Sequence, residues 1–90
     1  MGSGHYQIEF SDIAIEDLRY WKKSGQKNLL KKIEQLIQAI SDDPLTGIGK
    51  PEPLKHALSG KYSRRINQEH RIIYRLDDDI VYILSLKGHY

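Results

Sequence analysis

Between Leu29 and Ile40 the residues Leu29, Leu30, Ile33, Leu36, Ile37 and Ile40 recur at the three- and four-residue spacing of an α-helix. Lys27, Lys31, Lys32, Glu34, Gln35 and Gln38 occupy the opposite side. Such a stripe has to be buried. A chain of 90 residues has room for one core only, so the rest of the sequence supplies what packs against it. Pro44 ends the helix and steers Asp43 into extended geometry.

Upstream, Tyr6-Gln7-Ile8-Glu9-Phe10 alternates apolar and polar and predicts a short strand. Ser11 is a suitable N-cap, with Asp12 favourable in the first turn. A first helix is predicted from there, with Ala14, Leu18 and Trp21 on one side and Ile15 beside them; Ser24-Gly25 ends it. Two helices so closely connected predict an antiparallel hairpin. Pro44 to Pro53, with Gly47, Gly49 and Pro51 inside it, reads as a loop. Three β-like runs follow, Lys61 to Ile66, Arg71 to Leu76 and Ile80 to Leu86, separated by Asn67-Gln68-Glu69 and Asp77-Asp78-Asp79. They predict a meander whose last strand, the most apolar, is well buried. The expected fold is therefore α+β, in the order β-α-α-β-β-β, with a mainly antiparallel sheet and the helical hairpin on one face. Residues 6–90 form its single domain, and Met1-Gly2-Ser3-Gly4-His5 reads as a cloning remnant outside it.

Composition narrows the chemistry. There is no cysteine, which removes disulfides, thiolate nucleophiles and cysteine-ligated metals. None of His5, His56, His70 and His89 has a histidine or cysteine partner at ligand spacing, so no zinc site is expected. No apolar run approaches the roughly 20 residues that span a bilayer, and a cytoplasmic protein is expected. The formal charge of +2 is unevenly spread: from Lys50 to Arg75 there are seven basic residues against Glu52 and Glu69. A patch of that kind suits a polyanion such as RNA. It equally suits a solvated, charge-rich sheet face.

Within this half, Lys50-Pro51-Glu52-Pro53-Leu54-Lys55 holds one carboxylate between two prolines, which restrain the backbone around a possible base. His89-Tyr90 ends the chain, and a histidine carried there by the last strand would suit proton donation near neutral pH. Arg64 and Arg65 must project from opposite faces of a strand, so at most one serves a given site. Arg71 and Arg75 share a face of the next strand, where they could grip phosphate or pair with acidic neighbours. His56 and His70 have no distinguishing context and read as surface residues. Most of the six tyrosines read as packing residues that could also stack on bases.

Taken together, Lys50-Pro51-Glu52-Pro53-Leu54-Lys55-His56, Leu58-Ser59-Gly60, Ser63-Arg64-Arg65-Ile66, Glu69-His70-Arg71, Tyr74 and the terminal His89-Tyr90 resemble the YoeB/Txe toxins of the RelE-like superfamily. Tyr20-Trp21 and Lys31-Lys32-Ile33 are similar too, so the likeness runs from Tyr6 to Tyr90. The resemblance implies a messenger-RNA endoribonuclease that works in the ribosomal A site without metal or cofactor. It implies homodimers, a YefM-like antitoxin whose C-terminal segment wraps the toxin, and contact with operator DNA only through that complex. By motif, Glu52 is the implied general base, His89 the general acid and Arg71 the arginine that stabilises the transition state. Lys55, Arg65 and Tyr90 match positions that bind or orient RNA. Lys87-Gly88 departs from the pattern, in which an arginine and an aromatic residue often stand; it keeps the charge without the ring. Two other readings fit the same fold: a non-catalytic RelE/ParE-like toxin, and a module that binds nucleic acid and leaves it intact.

Overall fold

The computed structural model describes residues 6–55 and 59–88. The chain forms β1 (Gln7–Phe10), α1 (Asp12–Lys23), α2 (Lys27–Asp42), β2 (Glu52–Pro53), β3 (Lys61–Arg65), β4 (Arg71–Asp77) and β5 (Ile80–Ser85). The sheet runs β1-β5-β4-β3-β2. All neighbours are antiparallel except β1 and β5, which pair in parallel. The expected α+β fold is therefore present. One element differs: the segment read as a loop as far as Pro53 ends in the two-residue strand β2. Two residues are too few to show a period, and flanking prolines argue against a strand anywhere except at a sheet edge, where β2 lies.

The helix ends form as their local chemistry dictates. The Ser11 hydroxyl accepts the Ala14 N–H at 3.0 Å and donates to the Leu84 carbonyl at 2.8 Å, so one side chain both caps α1 and ties it to β5. Gly25 turns the chain between the helices at φ 76°, a conformation open to glycine without strain. Asp43 closes α2 in extended geometry ahead of Pro44. Ser41 then exchanges bonds with Tyr6: its hydroxyl donates to the Tyr6 carbonyl at 2.9 Å, and its carbonyl accepts the Tyr6 N–H at 2.8 Å.

Ala14 and Trp21 of α1 and Ile33, Leu36 and Ile40 of α2 form one buried cluster with Ile72, Tyr74, Val81 and Ile83. Those sheet residues lie on one face, as the cross-strand pair Tyr74–Ile83 requires. Ile15 is exposed, contrary to its placing beside the stripe, because it lies about 100° round the helix from Ala14. β5 sits between β1 and β4, which explains its apolar sequence. A register shift, from Ile73–Ser85 to Tyr74–Ile83, leaves Leu84 as the extra residue of a bulge.

Close packing leads up to β2. Gly49 has φ 84°, and a Cβ there would stand 2.7 Å from Leu36 Cδ2 and 3.3 Å from the Arg65 carbonyl. Gly49→Ala should therefore cost about 2–3 kcal/mol, combining a strained φ with overpacking. Gly25→Ala, with open space around it, should cost only about 1 kcal/mol. Urea unfolding of the two variants measures the difference, and equal losses would count against the packing argument.

Candidate active site

β2 is short but held at both ends. The Gly49 carbonyl accepts the Arg65 N–H at 2.7 Å, and Leu54 N–H donates to the Lys61 carbonyl at 2.8 Å. Pro51 and Pro53 carry no N–H, so the edge offers fewer donors to a stray strand. Glu52 is thus presented on a restrained backbone opposite Ser63 of β3.

Residues directly opposite in antiparallel strands share a face. The pairs Glu52–Ser63, Ser63–Ile73, Arg65–Arg71 and Lys61–Arg75 therefore put Glu52, Lys61, Arg65, Arg71 and Arg75 on the face away from the helices. On this face Arg71 reaches across β3, and its Nη1 lies 3.5 Å from Glu52 Oε1. The distance is at the long limit of a hydrogen bond, and the Glu52 side chain is 60% exposed. An ion pair of that kind contributes about 0–1 kcal/mol to stability. The pair is too weak to be a structural strut, so Arg71 is free to exchange the carboxylate for another anion such as a phosphodiester.

Arg65 stands exposed beside Arg71, whereas Arg64 points the other way and is fully buried. The alternation expected of the two arginines is present, and the helix-covered face took Arg64. Arg75 lies over the Tyr82 ring at 4.5 Å, which occupies its guanidinium away from Glu52. Lys55 is exposed just beyond β2. Among the residues expected in the site, the structure brings Glu52, Arg65 and Arg71 to one face. His89 and Tyr90 lie outside the described residues, as does His56. The last described residue, Gly88, nevertheless meets this strand: its carbonyl accepts the Arg71 N–H at 2.9 Å.

Two features escaped sequence reasoning. Ser63 is buried on the same face, and its hydroxyl has no hydrogen-bond partner among the described residues. His70, read as a surface residue, is half-buried; its Nδ1 accepts the Gly88 N–H at 2.9 Å and its ring stands edge-on to Trp21. No local pattern marks either one, because the contacts come from residues far along the chain.

A carboxylate facing an arginine, on a cationic and open sheet face, is an arrangement suited to a phosphodiester. A family model described as the YoeB-like toxin of bacterial type II toxin–antitoxin systems matches residues 10–90. The chain belongs to this YoeB-like family. Toxin YoeB of Synechocystis sp. is 49% identical over 93% of this chain and 96% of that protein. A YoeB dimer from Staphylococcus aureus superposes with a TM-score of 0.84 at 47% identity, covering 96% of this chain and 99% of the other. A YoeB–YefM complex from the same organism gives 0.83 at 48% identity, covering 94% and 98%. The YoeB-like fold thus accounts for the mixed sheet and the paired helices. Among the described residues, no helix is long and apolar enough to cross a membrane.

Proposed function

We propose that this YoeB-like chain is a ribosome-dependent messenger-RNA endoribonuclease, and that Glu52, Arg71 and His89 carry its chemistry. The observation that supports the reading most is the Glu52–Arg71 pair at 3.5 Å, open to solvent on the Glu52 side and weakly held on a cationic face. RNA brings its own nucleophile, the 2′-OH. Glu52 takes the proton of that hydroxyl as its oxygen bonds to phosphorus. The bond from phosphorus to the 5′-oxygen breaks, and His89 gives that oxygen a proton. Arg71 offsets the extra negative charge on the phosphoryl oxygens. Lys55, Arg65 and Tyr90 hold and orient the message. The products are a 2′,3′-cyclic phosphate and a 5′-OH, and the balance needs no metal ion.

The site lies on an open sheet face with no enclosing walls to fix a flexible RNA in one geometry, which favours a message already immobilised in the ribosomal A site. A YefM-like antitoxin with acidic and apolar residues would neutralise the toxin by covering the cationic face, and operator DNA would be met only through that complex. A homodimer working in the cytoplasm completes the reading. The family match and the YoeB dimer and YoeB–YefM structures support these partners.

Translating ribosomes incubated with the protein and a chelator test the proposal through the ends of the cut message. A 5′-OH downstream and a cyclic phosphate upstream are expected. A single deoxyribose at the scissile nucleotide should stop cleavage and leave A-site binding nearly unchanged. A 5′-phosphate product, or cleavage of the deoxy-substituted message, would overturn the mechanism. An intact message would favour a non-catalytic toxin or a binding module.

A further inference from the structure

Residues 86–88, just beyond the last strand, are held by several specific bonds. Terminal residues fray unless specific bonds retain them. β5 ends at Ser85, yet Leu86 is fully buried. Its N–H donates to Asp17 Oδ2 at 2.9 Å, and its carbonyl accepts the Trp21 indole N–H at 2.9 Å. Two residues on, Gly88 N–H donates to His70 Nδ1 at 2.9 Å and Gly88 carbonyl accepts the Arg71 N–H at 2.9 Å. Gly88 has φ 84°, which glycine adopts without strain, and this conformation accompanies both bonds.

His70 is itself immobilised. Its N–H donates to Asn67 Oδ1 at 2.7 Å, and its carbonyl accepts the N–H groups of Ile66 and Asn67. The ring packs edge-on against Trp21 with centroids 4.8 Å apart. A backbone amide can only donate, so Nδ1 must present its lone pair and the ring proton must sit on Nε2. The imidazole therefore works as a fixed acceptor, beside the strand that carries Arg71 and on the α1 side of the chain end.

We propose that His70 is a positioning residue: by holding Gly88 against Arg71 it sets the point from which the chain enters His89. The consequence for catalysis rests on His89 being the general acid, as proposed above. An acid works only within hydrogen-bond reach of the leaving oxygen, and a displacement of about 1 Å can cost about 10²-fold. His70 touches neither message nor reacting atoms in this scheme, so its loss should lower the cleavage step and spare binding.

Two substitutions separate this role from mere packing. His70→Leu fills the space without an acceptor. His70→Asn places Oδ1 where Nδ1 stands and retains one. Single-turnover cleavage of ribosome-bound message should fall by roughly 10–100-fold in His70→Leu, while the dissociation constant for ribosomes carrying a deoxy-substituted message stays unchanged. His70→Asn should recover most of the rate. In the unaltered protein, long-range nitrogen–proton spectra of the imidazole should show the Nε2–H tautomer, and the Gly88 amide should exchange slowly with solvent. Parental cleavage by His70→Leu, a Gly88 amide that exchanges as freely as a loose terminus, or an Nδ1–H tautomer would each overturn the proposal. Should His70→Leu fail to fold, the imidazole and exchange measurements still decide it. An unaltered protein that cuts nothing would sink the proposed function and the catalytic consequence together, while those two measurements judge the clamp independently.

Discussion

Glu52→Gln is expected to slow cleavage of ribosome-bound message by about 10²–10⁴-fold, the usual worth of a positioned base. The amide keeps the shape of the carboxylate and loses its proton affinity. Arg71→Ala should cost at least as much, because Arg71 is the cation that stands against Glu52 and its loss removes charge stabilisation at phosphorus. Neither change should move the unfolding midpoint far: the Glu52 side chain is mostly exposed and the Arg71 side chain about a quarter exposed, and a pair this long and this wet is worth at most about 1 kcal/mol. Large kinetic losses with unchanged stability are the signature expected of a site rather than a strut. Single-turnover rates alongside urea melts measure both. A Glu52→Gln protein that cuts at the parental rate would remove Glu52 as the base, and an Arg71→Ala protein that unfolds would make the pair structural.

The largest effect on stability should come from the neighbouring arginine, which faces the other way. Arg64 is fully buried, and among the described residues its hydrogen bonds go to oxygens of the fold. Its Nε donates to the Tyr74 hydroxyl at 3.2 Å, Nη1 to the Ile48 carbonyl at 3.1 Å, and Nη2 to the carbonyls of Asp43 and Thr46 at 2.6 and 2.7 Å. Tyr74 in turn donates to the Pro44 carbonyl at 2.5 Å. The guanidinium thereby folds residues 43–48 onto β3 and β4, and this loop leads directly into Gly49 and the strand that carries Glu52. Arg64→Met relieves a buried charge but orphans three carbonyls, so it should cost about 2–4 kcal/mol. Arg64→Lys should not rescue it, because one ammonium cannot serve acceptors spread as the planar fork serves them. At this chain length each kcal/mol lowers the melting temperature by about 4–8 °C. A melting temperature unchanged in Arg64→Met would show that the network contributes nothing.

The same network has an alkaline limit. Burial raises the Tyr74 hydroxyl above its ordinary value, and the hydrogen bond from Arg64 offsets part of that rise. The folded state therefore holds the Tyr74 proton more tightly than the unfolded chain does. That contribution is complete below the unfolded value of 10.0 and is lost as pH rises through the folded one. Tyr74→Phe should be less stable at neutral pH, having lost two hydrogen bonds, yet should lose less further stability between neutral and strongly alkaline solution. Melts of both proteins across that range check the sign.

Much of the architecture was legible in the sequence because it follows from neighbours in the chain. The three- and four-residue spacing from Leu29 to Ile40, the Ser11 cap, the Gly25 turn and the stop at Pro44 each act over one or two helical turns. The alternating runs from Lys61 to Leu86 likewise specify strands and turns locally, and the two prolines around Glu52 marked it as a residue held in place. Strand geometry even required Arg64 and Arg65 to diverge. Which of them went inside was decided by the tertiary structure, because only the docking of the two helices determines the covered face. The same holds for the parallel pairing of β1 with β5, since a strand pattern does not name its neighbour. β2 exists because β3 offers it an edge, and Arg71 meets Glu52 only because β3 lies between their strands. His70 showed nothing locally, and its acceptor role arises when the chain end folds back between Trp21 and Arg71. Local periodicity records backbone conformation and burial; it carries no register between distant segments, and register is what assembles these side chains.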